Sequence, residues 1–169
     1  GDLPALIWET AYSAKNNYEK FSFKEALLEV SYLSKVLVEQ FHIQKGDRVI
    51  IYMPNIPQGI FAMHACARIG AIHSVVFGGF APHELAVRID DSKPKLIVSA
   101  SYGVEIHKIL PYKPMLDEAI HQATHKPLTT IICQRPDIED LMHTGRDHYW
   151  HEVMENVEAT GYVELDATD

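Results

Sequence analysis

The stretch Phe77-Gly78-Gly79-Phe80 is the part of this sequence whose residue types and spacing most suggest chemistry. Two adjacent glycines let a backbone approach a ligand closely or adopt a positive φ. A plain tight turn is the alternative explanation of the same pair. The stretch is not a phosphate-binding loop, because the sequence contains neither G-x-x-x-x-G-K-[ST] nor G-x-G-x-x-G. It is therefore a candidate for close contact between main chain and a ligand.

The segment 103–108 is the second candidate. His107 and Lys108 could hold a phosphate group through charge-assisted hydrogen bonds. A solvated loop is the alternative, since lysine is common at protein surfaces. Each of the two candidate segments follows an apolar run, so each is expected at the end of a strand.

Metal and nucleophile chemistry find little support in the rest of the sequence. His148 and His151 are three residues apart, close enough to share a helix face, but no cysteine or carboxylate set completes a metal site. No G-x-S-x-G motif marks a serine nucleophile. Cys66 and Cys133 lie in apolar runs, which predicts buried structural thiols and fits a reducing compartment. The sequence thus predicts neither a catalytic residue nor a metal ligand.

The elements that must position the candidate segments alternate between strand-like and helix-like patterns. Apolar runs predict buried strands at 48–53, 72–77, 95–100 and 129–133. Helical spacing, proline starts and glycine stops predict helices at 23–41, 57–70, 82–91 and 115–123. The first of these helices follows a capping-box pattern, Ser22 with Glu25 three residues later.

Apolar strands joined by helices favour an α/β fold, a mostly parallel sheet with helices on both faces. In such sheets, ligands bind beyond the carboxyl ends of the strands. The loops after Met53, Phe77, Ala100 and Cys133 are therefore the predicted ligand edge. Both candidate segments belong to that edge.

Charge and composition limit the classes of partner. The net charge of −8 argues against nonspecific nucleic-acid binding, and no apolar run approaches the ~18 residues that span a bilayer. The first residues lack a signal-peptide pattern, so a cytoplasmic protein is expected. We divide the chain into an N-terminal strand and helix segment at 1–46, a parallel α/β unit at 47–134, and an irregular or helical tail at 135–169.

Three runs, 51–57, 65–80 and 88–95, carry a resemblance to a known family. The first reads Ile-Tyr-Met-Pro-Asn-Ile-Pro and the second ends in the glycine stretch. In order and spacing these runs resemble the AMP-forming acetyl-CoA and propionyl-CoA synthetases. The resemblance extends from about Asp2 to the end of the chain and is weakest after Pro136. It implies the N-terminal subdomain of the acyl-adenylate-forming enzyme fold.

Within this family the runs 108–113, 116–120 and 125–127 resemble propionate–CoA ligases. Acetyl-CoA synthetases usually have arginines in this loop, whereas Glu105 and Lys108 stand at two of those positions. Lys108 keeps the positive charge and Glu105 does not. An acetate–CoA ligase remains the nearer alternative, because the acyl pocket is expected outside this chain.

The resemblance implies a two-step reaction. A carboxylate attacks the α-phosphate of ATP to give an acyl-adenylate and pyrophosphate, and the thiol of CoA then attacks the acyl carbonyl and releases AMP. Propionate, ATP and CoA are the expected partners, and enzymes of this family use Mg²⁺. The resemblance also implies CoA contacts at the pantetheine arm and near the adenosine 3′-phosphate, from Phe77, Gly78, Gly79, Glu105, Ile106, His107 and Lys108.

The resemblance places the catalytic parts beyond this chain. The Thr/Ser/Gly-rich phosphate loop is expected shortly after Asp169, followed by the adenine, ribose and carboxylate sites and the catalytic lysine. The isolated chain is therefore expected to be inactive, to hold no tightly bound cofactor, to pair with the rest of its own polypeptide, and to self-associate through open sheet edges. A non-catalytic α/β binding module and a flavodoxin-like nucleotide or flavin protein are the alternatives of other classes.

Overall fold

The computed structural model describes residues 1–9, 18–78, 81–105, 108–136, 138, 141–155 and 157. In these ranges the strands are β1 Pro4–Glu9, β2 Tyr18–Ser22, β3 Arg48–Tyr52, β4 Ile72–Val75, β5 Leu96–Ala100, β6 Gly103–Glu105, β7 Lys108–Leu110, β8 Thr129–Cys133 and β9 Asp147–Tyr149. The helices are α1 Phe23–Glu39, α2 Pro57–Arg68, α3 Pro82–Ser92, α4 Tyr112–Gln122 and α5 Trp150–Val153.

The main sheet has five parallel strands in the order β4-β3-β5-β8-β9. Four of them were predicted from their apolar runs, so the predicted α/β fold with a parallel sheet is confirmed. The strand β9 was not predicted, because an irregular or helical tail was expected at 135–169. It pairs Asp147 with Thr130 and Tyr149 with Ile132, which extends the sheet by one edge strand.

Two apolar cores lie on opposite faces of this sheet. The first core joins α1, α2 and α5 to one face and includes Ile51 of β3. The second core joins α3 and α4 to the other face and includes Ile50. Because neighbouring side chains of a strand point to opposite faces, a continuous apolar strand serves both cores. The prediction of helices on both faces is therefore confirmed.

The helix starts follow local sequence signals. Ser22 caps α1, where the backbone N–H of Glu25 donates to Ser22 Oγ over 3.2 Å. The backbone N–H of Ser22 donates in turn to Glu25 Oε2 over 2.8 Å, which completes the predicted capping box. The helix α4 begins at Tyr112 rather than at 115, because Pro114 is tolerated within a first turn.

Two antiparallel hairpins, β1–β2 and β6–β7, stand outside the main sheet. The strand β4 forms one edge of the main sheet and leaves Ile72 and Val75 exposed by 57% and 42%. An apolar edge of this kind can pair with another chain, so the expected self-association stays a prediction. Within the described ranges, no helix has the length and apolar character needed to cross a membrane.

Candidate functional site

A change of direction in the chain marks the position of the site. The connection from β3 to β4 runs through α2 in the first core, and the connection from β4 to β5 runs through α3 in the second core. The helices that follow β3 and β4 therefore lie on opposite faces of the sheet, and the direction in which strands are added reverses at β3. In open parallel sheets a crevice forms at such a switch point, outside the carboxyl ends of the strands.

A cavity of about 310 Å³ lies at this crevice. We call it the edge cavity. Its walls come from the loops after β3, β4 and β8, from the β6–β7 hairpin that follows β5, from β1 and from the start of α4. They include Trp8, Asn55, Phe77, Gly103, Tyr112 and Arg135. All four loops of the predicted ligand edge thus meet at one cavity.

Tyr112, at the first position of α4, forms one wall of the edge cavity and is only 3% exposed. It lies against two glycines. A Cβ on Gly78 would stand 1.4 Å from the phenol oxygen, and a Cβ on Gly103 would stand 2.6 Å from Cε2 of the same ring. Only glycine fits at both positions while the tyrosine is there.

The phenol groups near the cavity stay protonated at neutral pH. Burial raises the pKa of Tyr112 to about 12, assisted by the negative charge of Glu105 and opposed by Arg135. Burial and the neighbouring Tyr112 raise the pKa of Tyr52 to about 12. The two rings pack with their centroids 4.8 Å apart, so Tyr112 is held on the side of the second core as well.

Arg135 supplies a cation to the edge cavity from the loop after β8. Its guanidinium carbon lies 4.8 Å from the centroid of the Tyr102 ring. Its Nη1 donates to the main-chain oxygen of Tyr102 over 3.1 Å, and its backbone N–H donates to Ser101 Oγ over 2.9 Å. The Tyr102 hydroxyl donates to the main-chain oxygen of Pro136. These contacts hold both the side chain and the backbone of Arg135 in place.

Trp8 closes the cavity from the β1–β2 hairpin. The indole Nε1 donates to the main-chain oxygen of Asn55 over 2.8 Å. This bond ties β1 to the loop after β3, although the two residues are far apart in the sequence. The N-terminal hairpin is therefore part of the site and not merely an appendage of α1.

Some of the predicted CoA-contacting residues line the edge cavity and others do not. Phe77, which is 72% exposed, and Gly78 and Glu105 line the edge cavity. Lys108 is exposed on β7, opposite Glu105 in the hairpin register, and is not among the lining residues. The three remaining predicted residues, Gly79, Ile106 and His107, lie outside the described residues.

Sequence reasoning missed Tyr112, Gly103 and Arg135 as residues of the site. The sequence interpretation places Arg135 at the start of an irregular or helical tail, although its position directly after β8 marks it as a residue of the ligand edge. Gly103 stood inside the second candidate segment without a separate role. Nothing local marks Tyr112, because its two glycine contacts join segments that are distant in the sequence.

A cluster of ionisable side chains lies away from the edge cavity and joins α4 to β9. Asp117, His143 and Asp147 bring ligand atoms within 4.8 Å of one another. Lys113 Nζ already lies 2.6 Å from Asp117 and 3.0 Å from Asp147, and Arg146 pairs with both carboxylates. Two cations therefore neutralise the two carboxylates, so the cluster is better suited to holding elements together than to binding a metal.

The Asp147 carboxylate is fully buried in this cluster. Burial alone would raise the pKa of Asp147. Hydrogen bonds from Arg146, from the backbone N–H of His143, and from Thr130 and Lys113 outweigh that effect and hold the pKa well below its usual range. The carboxylate is therefore charged at neutral pH.

Both cysteines are buried, as their apolar surroundings predicted. Burial raises the pKa of the Cys66 thiol to about 12 and that of the Cys133 thiol to about 11. Since the thiolate is the reactive form, neither group is an activated nucleophile at neutral pH.

Comparison with known proteins gives a consistent picture. A family model described as "AMP-binding enzyme" matches residues 1–160. Acyl-CoA synthetase short-chain family member 3, mitochondrial, of Rattus norvegicus is 48% identical over 155 residues, which make up 91% of this chain and 22% of that protein. Propionate–CoA ligase of Escherichia coli (strain K12) is 47% identical over 145 residues, 85% of this chain and 23% of that protein.

A third relative has a similar extent of match. Acyl-CoA synthetase short-chain family member B, mitochondrial, of Dictyostelium discoideum is 49% identical over 135 residues, which cover 80% of this chain and 19% of that protein. The chain therefore spans about a quarter or less of the length of the curated relatives it matches.

Proposed function

We propose that this chain, which belongs to the AMP-binding enzyme family, is the N-terminal subdomain of an AMP-forming propionate–CoA ligase. The whole protein would convert propionate, ATP and CoA to propionyl-CoA, AMP and pyrophosphate through an acyl-adenylate. The observation that carries this proposal is the 47% identity to a protein named propionate–CoA ligase over 85% of the chain.

In this proposal the edge cavity receives part of the CoA molecule. Its position beyond the carboxyl ends of the strands is where a parallel sheet offers a ligand site. The aromatic side chains of Trp8, Phe77 and Tyr112 line it and suit a flexible, mostly uncharged arm such as pantetheine. Gly78 adds main chain at the cavity wall without a side chain in the way.

The remaining predicted CoA contacts keep their place in the proposal. Glu105 lines the cavity, and Lys108 lies beside it at the outer end of the β6–β7 hairpin. We propose that Gly79, Ile106 and His107, which adjoin these residues in the sequence, complete the CoA path. In this proposal the contribution of this chain is to bind and orient CoA, the acyl acceptor, through the lining of the edge cavity.

The Mg²⁺ that this family uses finds no fitting site among the described residues. The candidate group of Asp117, His143 and Asp147 is already neutralised by Lys113 and Arg146. We therefore assign no step to the metal in this part of the protein. A cytoplasmic location stays a prediction, and the rat and Dictyostelium relatives carry the word mitochondrial in their names.

Propionate-dependent exchange between ATP and labelled pyrophosphate tests the proposal. It should be measured on the full-length protein and on the 169-residue chain, with acetate in place of propionate as the comparison. We expect exchange with the full-length protein only, faster with propionate than with acetate. Faster exchange with acetate would favour the acetate ligase, and a folded full-length protein without exchange for either acid would overturn the ligase proposal.

A further inference from the structure

We propose that Arg135 is the principal phosphate-binding cation of the edge cavity. This inference rests on the proposed function, because it takes CoA as the ligand. Arginine suits the role, since its planar guanidinium offers five N–H donors that match the oxygens of a phosphate group. The chemical group recognised is a phosphate of CoA, either the pyrophosphate or the 3′-phosphate.

The guanidinium of Arg135 is held in place, and no carboxylate among the described residues forms an ion pair with it. Its described contacts are the ring and the main-chain oxygen of Tyr102. Only Nη1 donates to an acceptor in the described part of the chain. A held cation with unused donors at a cavity wall is prepared to bind an anion, because little side-chain entropy remains to be lost.

Lys108 is the competing cation, and its setting is different. It lies on the exposed strand β7 and does not line the edge cavity. A lysine in that setting acts as a solvated point charge on a flexible stem. We therefore expect Lys108 to make a weaker, salt-screened contribution, while Arg135 makes direct hydrogen bonds.

The carboxylate of Glu105 allows a second test, because its removal should change the affinity for CoA in the direction opposite to the removal of Arg135. It lines the same cavity as Arg135, and the two residues act in opposite directions on the pKa of Tyr112. Both charges are therefore felt inside the cavity. A phosphate attracted by Arg135 would be repelled by Glu105, so removing each charge should change CoA affinity in opposite directions.

The experiment compares variants of the full-length protein by the KM for CoA in thioester formation and by calorimetric binding of CoA. We expect Arg135→Gln to raise both the KM and the dissociation constant for CoA by about 10- to 100-fold, the range for a lost hydrogen bond between charged groups. Arg135→Lys should recover part of the loss and Lys108→Gln should have a smaller effect. Glu105→Gln should tighten binding, and Lys24→Gln on the exposed surface of α1 serves as the matched control.

The choice of ligand identifies the phosphate. Loss of the Arg135→Gln effect with 3′-dephospho-CoA would assign the 3′-phosphate, and retention of the effect would assign the pyrophosphate. Thermal unfolding of each variant separates binding from folding, because Arg135 also bonds to Tyr102.

The outcomes for the two proposals are distinguishable. Pyrophosphate exchange needs no CoA, so its absence in the wild type would count against the ligase and not against Arg135. Unchanged CoA binding in a folded Arg135→Gln protein would overturn the inference, as would a larger loss in Lys108→Gln or weaker binding in Glu105→Gln. Because calorimetry reads CoA binding directly, it tests Arg135 even if no turnover is seen.

Discussion

Replacing Gly78 by alanine should destabilise the fold through a clash with Tyr112. The new Cβ would lie 1.4 Å from the phenol oxygen and 2.0 Å from Cζ. Since carbon atoms in good contact are separated by about 3.5 Å, the ring or the loop must retreat by about 2 Å. Tyr112 has little room to do so, because Tyr52 packs on it and Gly103 approaches it closely. We expect a loss of about 1–3 kcal/mol in the free energy of unfolding, the usual range for overpacking.

Urea denaturation of the 169-residue chain, followed by circular dichroism, measures this loss. Gly59→Ala is the matched control, because its Cβ would meet nothing nearer than Met53 Cβ at 3.9 Å. That change lies within α2 and should stabilise the chain by about 0.5–1 kcal/mol. The two variants make the same glycine-to-alanine change, and we expect them to shift the free energy of unfolding in opposite directions.

A double-mutant cycle identifies the clashing partner. In a Tyr112→Leu background, Gly78→Ala should cost less than about 0.5 kcal/mol, which corresponds to a coupling of about 0.5–3 kcal/mol between the two positions. Tyr112→Phe should give only partial relief, because Cζ would still lie 2.0 Å from the new Cβ. Equal stability of Gly78→Ala and wild type, or a cost that persists in the Tyr112→Leu background, would refute the reasoning.

Three further predictions concern groups away from the cavity. Lys113→Met should lower the free energy of unfolding by about 1.5–3 kcal/mol, because the buried Asp147 loses one of its two cations while Arg146 stays paired with it; an effect no larger than that of Lys24→Met in urea denaturation would contradict this. The folded-state pKa of Asp147 lies below the unfolded value of about 3.9, so its stabilising effect is present above pH 4 and is lost as the pH falls below it. Asp147→Asn should therefore flatten the fall in the free energy of unfolding between pH 4 and pH 2.5, and an unchanged slope would count against the assignment. A disulfide reagent at pH 8 should label neither Cys66 nor Cys133 in the folded chain and both in urea, since burial raises both pKa values; rapid labelling of the folded chain would show that the thiols are accessible.

The main sheet could be predicted because its signal is local and long. Four of its strands lie within apolar runs of five or six residues, separated by segments with proline starts and helical spacing. The capping box of Ser22 and Glu25 is likewise complete within four residues. Such patterns predict the local structure without any information about residues that are distant in the sequence.

The short strands could not be predicted for the opposite reason. β6, β7 and β9 have three residues each, too few for an alternation of apolar and polar side chains to be recognised. β9 is also polar, and it is held by tertiary contacts: Thr130 Oγ1 donates to Asp147 Oδ1 over 2.7 Å, and the backbone N–H of Thr130 donates to the main-chain oxygen of Arg146 over 2.8 Å.

The location of the edge cavity was predictable, and so were three of its lining residues, Phe77, Gly78 and Glu105, but the rest of its lining was not. The rule for parallel sheets selected the four loops that meet at the edge cavity. It did not select Tyr112, because no sequence pattern reports that its ring will lie between Gly78 and Gly103. The same rule covers Arg135, which follows β8 directly, but the sequence pattern there indicates only the start of an irregular or helical tail.

The separation of the two cores by the sheet has a consequence for evolution and engineering. Substitutions whose side chains belong to the same core should show epistasis, whereas those in opposite cores should combine almost additively. Tyr112 belongs to the second core, whereas α1 and α2 pack in the first. Because Met53 and Ile56 of the first core also line the edge cavity, substitutions in either core can reach it, and a library aimed at robustness is best confined to core positions that contact no lining residue.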